Sequence, residues 1–169
     1  HCAWGRKWRG RDPLDVVNEI EHLVTEYGVN EIHFEDDNLT LNKKRMITIC
    51  EEIIRRKIDI SWTTPNGVFI NALDRELLEL MKASGCYRLF LGIESGNQHV
   101  LDKIIRKGLK LSRARETIQH LVDLNIEITG FFVIGVPGET IPQIKDTIKF
   151  AAELPFDELL ISIATPYPG

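Results

Sequence analysis

The sequence lacks a cysteine cluster. Its three cysteines, Cys2, Cys50 and Cys86, stand at separations that fit neither a zinc pattern nor a metal-cluster run, and three thiols are not a disulfide framework. That usage suits a reducing, cytoplasmic setting. Long apolar runs are also missing: none approaches the roughly 18 residues that a membrane span requires. No charge of one sign dominates. The 21 Lys and Arg against 25 Asp and Glu leave a net charge of −4, which argues against a nucleic-acid surface along the whole chain. Low-complexity stretches and linkers are absent, so a second domain is not expected.

What is present is an ordinary globular balance, 43% hydrophobic and 27% charged over 169 residues, enough for one domain with a real core. The chain opens on His1 and stops at Pro166-Tyr167-Pro168-Gly169 without a tail. Both ends are therefore expected to be cuts in a longer chain, with residues 1–169 forming a single core domain truncated at both ends.

Helix and strand signals alternate. Asp12 followed by Pro13 is a helix start, the apolar residues from Val16 to Tyr27 recur at helical spacing, and Gly28 ends the run. Glu31 to Phe34 reads as a short strand and Asn42 opens a second helix. A strand over Ile58 to Thr64 is expected to stop at the turn Pro65-Asn66-Gly67. Asp74 leads a third helix closed by Gly85, and Tyr87 to Ile93 is a strand. Helical segments follow around 98–106 and 112–124, the latter capped by Ser112. Ile126 to Ile134 is a strand, a helix covers about 141–153, and Asp157 to Ala164 is the last strand. Phe131 to Ile134 and Leu159 to Ile161 are apolar on both faces, as strands of a parallel sheet covered by helices are. The expected fold is α/β, a barrel or an open part-barrel.

In such a fold, ligands bind at the carboxyl ends of the strands. Polar residues collect there: Glu35, Asp36 and Asp37 after the first strand, Glu94 and Ser95 after the third, and Glu139 beyond a Gly-Pro-Gly turn after the fourth. Acidic groups from separate strands on one rim need a cation, an ammonium or sugar hydroxyls to offset them. Taken singly, Asp37 also suits a turn, and Glu139 suits a helix N-terminus. Gly135 and Gly138 serve either a tight turn or the close approach of a flat ligand. Cys50 on an apolar helix face and Cys86 between a helix stop and a buried strand read as core, and His33, in a strand next to Phe34, reads as a satisfied histidine rather than a ligand. The basic residues interleaved with Trp4 and Trp8 suit a local anion contact or a surface loop better than nucleic acid.

Four segments in order carry a resemblance. Phe34-Glu35-Asp36-Asp37-Asn38, Gly92-Ile93-Glu94-Ser95-Gly96, Ile134-Gly135-Val136-Pro137-Gly138-Glu139-Thr140 and Pro166-Tyr167-Pro168-Gly169 resemble the successive strand-end motifs of radical S-adenosylmethionine (SAM) enzymes. The opening Trp4-Gly5-Arg6-Lys7-Trp8-Arg9 is similar to members with an N-terminal cobalamin-binding domain.

The resemblance implies a partial (β/α)6 TIM-like barrel whose first strand and Cys-x3-Cys-x2-Cys cluster loop precede His1, since that loop is absent and Cys2 alone cannot replace three thiolates. It implies SAM and a 4Fe–4S cluster as cofactors, with cobalamin added by the more specific likeness, and an external electron donor such as flavodoxin or ferredoxin. Reductive cleavage of SAM at the cluster would start radical chemistry, methyl transfer included. By position, Glu35, Asp36 and Asp37 match the acidic motif near the SAM ammonium, Glu94 with Ser95 the residue that reaches its ribose, and Lys107 a basic residue near its carboxylate. Ile134, Gly135, Val136 and Pro137 match the strand end along which adenine lies, with Ala164 and Pro166 on the neighbouring strand. No residue here is expected to ligate a metal, and the 169 residues alone are expected to be inactive. Two alternatives stay open: a barrel enzyme using Glu35, Asp36, Asp37 and Glu94 to bind a divalent metal, and a non-catalytic barrel scaffold.

Overall fold

A computed structural model describes residues 9–165. Pro166, Cys2 and the Trp4–Trp8 segment lie outside the described residues.

The elements run α1 (Pro13–Tyr27), β1 (Glu31–His33), α2 (Lys43–Arg55), β2 (Ser61–Val68), α3 (Arg75–Ala83), β3 (Cys86–Glu94), α4 (Leu111–Asp123), β4 (Glu127–Ile134), α5 (Ile141–Ala152) and β5 (Glu158–Ile163). The five strands form one parallel sheet in sequence order, curled into a partial barrel with helices on its outer face. Parallel neighbours demand a crossover, and α2, α3, α4 and α5 each supply one.

Local capping explains where the helices begin. The Asp12 carboxylate accepts from Leu14 N at 2.8 Å, the Asn42 side chain from Arg45 N at 3.1 Å and the Asp74 carboxylate from Leu77 N at 3.0 Å. Gly28 ends α1 in the left-handed conformation, φ +66°, which glycine adopts without a Cβ penalty.

The core lies between sheet and helices. Leu89, Leu91 and Ile93 of β3 and Ile128 and Phe132 of β4 are buried with Ile49, Ile53, Leu77, Leu78, Met81, Ile118 and Leu121 of the helices. Each such side chain contributes roughly 1.5–3 kcal/mol on burial. Trp62 donates its indole N–H to Ser84 O at 3.0 Å, and Phe34 meets it edge-on at 5.3 Å.

Four features differ from the sequence reading. First, β2 does not stop at Thr64. It runs on through Pro65-Asn66-Gly67, because the turn residues are absorbed as an irregularity: Thr64 pairs with Leu89 and Val68 with Leu91. Second, the segment after residue 98 widens into a π-helical turn, Val100–Ile105, ended by left-handed Arg106 at φ 59°. Third, Ser112 is not the cap of α4, which begins after Lys110; its first N–H, on Leu111, is satisfied by Gln98 Oε1 at 2.9 Å. Fourth, the last strand is not covered. Every residue of β5 is exposed, Ile163 reaching 73%; among the described residues it pairs with β4 alone, and no helix follows it to cover a face.

Among the described residues, no helix is long and apolar enough to cross a membrane.

Candidate functional site

A cavity of about 490 Å³ opens on the concave face at the carboxyl ends of the strands. Asp37 and Asn38 reach it from the loop after β1, Asn66 to Phe69 from the irregular end of β2, Gly92 and Glu94 from β3, and Phe131 and Val133 from β4. Lys107 closes it from the segment after the π-helical turn. Strand alternation explains the set. Leu89, Leu91 and Ile93 bury themselves toward the helices, so Gly92 and Glu94 must face inward.

Glu94 ends β3 with φ +73°, a conformation that a non-glycine residue keeps only when its surroundings impose it. Its carboxylate accepts a hydrogen bond from the Lys107 ammonium, and the two side chains are 31% and 18% exposed. Lys107 Nζ lies over Gly92, where an added Cβ would come within 3.5 Å of it. Asp37 is exposed at the opposite side, with Glu35 and Asp36 exposed beside it. The Glu35 carbonyl accepts from Asn66 Nδ2 at 3.0 Å, which ties the acidic loop to the end of β2.

The expected residues separate into two groups. Asp37, Glu94 and Lys107 share the cavity; Glu35 and Asp36 border it on the same loop. Ser95 is fully buried and turned away, its hydroxyl engaged with Thr147 Oγ1 at 3.1 Å and Asn97 N at 3.1 Å. Ile134, Gly135, Val136 and Pro137 form the end of β4 outside the cavity lining, and Ala164 N donates to Ile134 O at 2.9 Å. Glu139 holds that loop shut: one carboxylate oxygen accepts from Gly135 N at 2.6 Å and Val136 N at 3.3 Å. The start of α5 is left to a Thr140–Gln143 capping box.

Sequence reasoning missed Asn66, Gly67, Val68 and Phe69, having ended β2 at Thr64. The apolar Val68-Phe69-Ile70 after the turn signal was the available clue. It also missed Gly92, Phe131 and Val133, which stepping back by two from Glu94, and by alternation along β4, would have found.

Neither described cysteine resembles a metal ligand. Cys50 and Cys86 are free and buried, and burial raises both thiols, Cys50 to about 12. His33 pairs with Glu31 at 3.0 Å. Among the described residues, no group of three or more His, Cys, Asp or Glu side chains could hold a metal ion.

Comparison with known proteins bears on the family and the fold. The chain is 39% identical over 166 residues to an uncharacterised methyltransferase of Pyrococcus horikoshii, covering 98% of this chain and 36% of that protein. It is 36% identical over 184 residues to the cytidylyl-2-hydroxyethylphosphonate methyltransferase of Streptomyces wedmorensis, covering 100% and 34%. The chain thus spans about a third of the length of these relatives. Among solved structures, the radical S-adenosylmethionine methyltransferase TsrM of Kitasatospora setae, with cobalamin and a 4Fe–4S cluster bound, superposes with a TM-score of 0.81 at 20% identity, covering 90% of this chain and 31% of that one. The Radical SAM superfamily model matches residues 1–151, and the chain belongs to the radical SAM superfamily.

Proposed function

We propose that this chain is the SAM-binding part of a radical SAM enzyme. The observation that carries the reading is the charge set of the cavity. Its lining offers two carboxylates, Asp37 and Glu94, and one ammonium, Lys107. SAM brings the complement, a sulfonium and an ammonium against one carboxylate, and the apolar Val68, Phe69, Phe131 and Val133 suit its uncharged surface.

In this reading Asp37, with Glu35 and Asp36 beside it, meets the ligand ammonium, Lys107 its carboxylate, and Glu94 the ribose hydroxyls. The end of β4 at Ile134, Gly135, Val136 and Pro137, with Ala164 on the adjacent strand, borders the adenine. Ser95 acts from behind the site. When bound, SAM supplies the sulfonium carbon that reductive cleavage releases for radical chemistry. The chain's own residues orient it, neutralise its charges and exclude water.

A 4Fe–4S cluster does not fit the described residues, whose two cysteines are packed in the core. Its thiolates must come from outside residues 9–165. Methyl transfer is the form of the reaction that the two methyltransferase relatives support for the whole protein, with cobalamin as partner cofactor by analogy with the TsrM structure. An external electron donor such as flavodoxin or ferredoxin and a cytoplasmic setting belong to the same reading.

Calorimetric titration of the purified chain with SAM, and separately with Mg²⁺, tests it. Saturable SAM binding with no Mg²⁺ binding is expected. Tight Mg²⁺ binding with none of SAM would overturn the reading in favour of a metal-dependent barrel.

A further inference from the structure

The loop that follows Glu94 is pinned from behind by a helix that contributes nothing to the cavity lining. Ser95 and Thr147 are 0% and 1% exposed. Thr147 Oγ1 lies 3.1 Å from Ser95 Oγ, 3.0 Å from Gly96 N and 3.3 Å from Gln143 O, and Asn97 N donates to Ser95 Oγ at 3.1 Å. A hydroxyl has one proton and two lone pairs. The Thr147 proton therefore serves the Gln143 carbonyl, leaving its lone pairs to accept from Gly96 N–H and Ser95 O–H. Every one of these buried groups is then satisfied. The fit leaves no slack: a Cβ on Gly96 would sit 2.5 Å from Phe150 Cβ and 2.8 Å from Thr147 Cα.

The same loop governs the second charge. Asn97 Nδ2 donates to Asp146 on α5 at 2.7 Å, while Asn97 Oδ1 accepts from Val100 N at 3.1 Å. That bond opens the π-helical turn whose exit delivers Lys107. Glu94 thus enters the pinned loop and Lys107 leaves from it.

We infer that Thr147 is a positioning residue for the ligand site, setting the Glu94–Lys107 pair from the outer face of the sheet through Ser95, Gly96 and Asn97. The inference rests on the SAM reading above. Asp146 seconds it through Asn97.

The test compares Thr147→Val with Thr147→Ser. Thr117→Val serves as control, because Thr117 is another buried helix threonine and its hydroxyl has no partner among the described residues. Two quantities are read: SAM affinity by calorimetry, and the Glu94 carboxylate carbon resonance in the ligand-free protein by NMR. Thr147→Val is expected to weaken SAM binding about tenfold, with Thr147→Ser and Thr117→Val within about twofold of the parent. The Glu94 resonance in Thr147→Val should move toward its position in Lys107→Met and stay in place in the other two. An unmoved resonance, or a moved one with unchanged SAM affinity, overturns the inference. If the parent binds no SAM, the functional reading fails, and the resonance alone then decides whether Thr147 sets the pair. Should Thr147→Val not fold, Asp146→Ala, which removes the acceptor of the Asn97 amide, loosens the same loop from the solvent side and is read the same way.

Discussion

Lys107 reaches back across Gly92 to rest its ammonium on the Glu94 carboxylate, so two of the three charges that line the cavity neutralise each other. Without a ligand, that contact spares both groups the cost of a half-buried unpaired charge. With a zwitterionic ligand, each can turn to a group of the opposite sign.

Replacing Lys107 separates these roles. Lys107→Met removes the partner of a ligand carboxylate and leaves adenosyl contacts alone. SAM affinity should fall by about tenfold or more, the scale of a charge-assisted hydrogen bond, while 5′-methylthioadenosine, which has no aminocarboxylate, should bind unchanged. If Lys107 only neutralised Glu94, the variant would bind the cationic ligand more tightly. Paired titrations of the two ligands distinguish these outcomes by sign.

Gln98 offers a second test, of the segment that carries Lys107. Its side chain accepts from Leu111 N at 2.9 Å and donates to Leu109 O and Asp102 Oδ1, both at 3.0 Å, bridging the exit of the π-helical turn to the start of α4. Gln98→Ala should cost about 1–2 kcal/mol, the scale of a lost helix cap, in urea unfolding. A change below about 0.5 kcal/mol would mean that water replaces the cap without loss.

That cap also shows where sequence reading reached its range. Asp12, Asn42 and Asp74 cap helices within three residues, and a local pattern reveals them. Gln98 caps a helix from 13 residues away, so the eye settles on Ser112 instead. The strand ends and acidic rim were legible because a parallel sheet places its polar residues at one end. The direction of Ser95 was open to the same alternation, which continues Leu91 and Ile93 onto the helix side and α5, but the resemblance of Glu94-Ser95 to a ligand-binding motif drew the reading toward the cavity. The β2 turn signal was real, but pairing with β3 on both sides of it kept the strand going. The exposure of β5 depends on what stands beside it, and no property of Leu159 to Ile163 reports that.

At the amino ends of the strands, Tyr87 donates its hydroxyl to Glu31. That bond, then burial, pushes the phenol from its ordinary 10.0 up to about 12, and the same bond, helped by His33, lowers the Glu31 carboxyl. The signs follow from proton binding. Between pH 10 and 12 the folded chain keeps a proton that the unfolded chain loses, so stability falls as pH rises through that window. Glu31 acts at the other end: its contribution is present above the ordinary carboxyl value of 4.5 and is lost as pH falls through the lower folded value. The ultraviolet difference titration between the parent and Tyr87→Phe should show one phenol ionising near 12, and Glu31→Gln should return it toward 10. A phenol at 10 in the parent would mean that the contact does not hold in solution.

The backbone of Glu94 gives the last prediction. Both Glu94→Ala and Glu94→Gly remove the carboxylate, so both lose the Lys107 contact, and SAM affinity should drop about tenfold or more in each. They differ in what the left-handed φ of +73° costs them and in the entropy of the unfolded chain. Alanine keeps that cost, on the order of 1 kcal/mol, while glycine escapes it. Glu94→Gly should therefore be more stable than Glu94→Ala by about 1 kcal/mol in chemical denaturation, less what glycine loses in unfolded-chain entropy. Equal stability would mean that residue 94 relaxes out of the left-handed region once its side chain is gone, so that the charge pair, rather than the pinned Ser95–Asn97 loop, imposes the strain. A preserved difference assigns it to the loop, and hence to the threonine behind it.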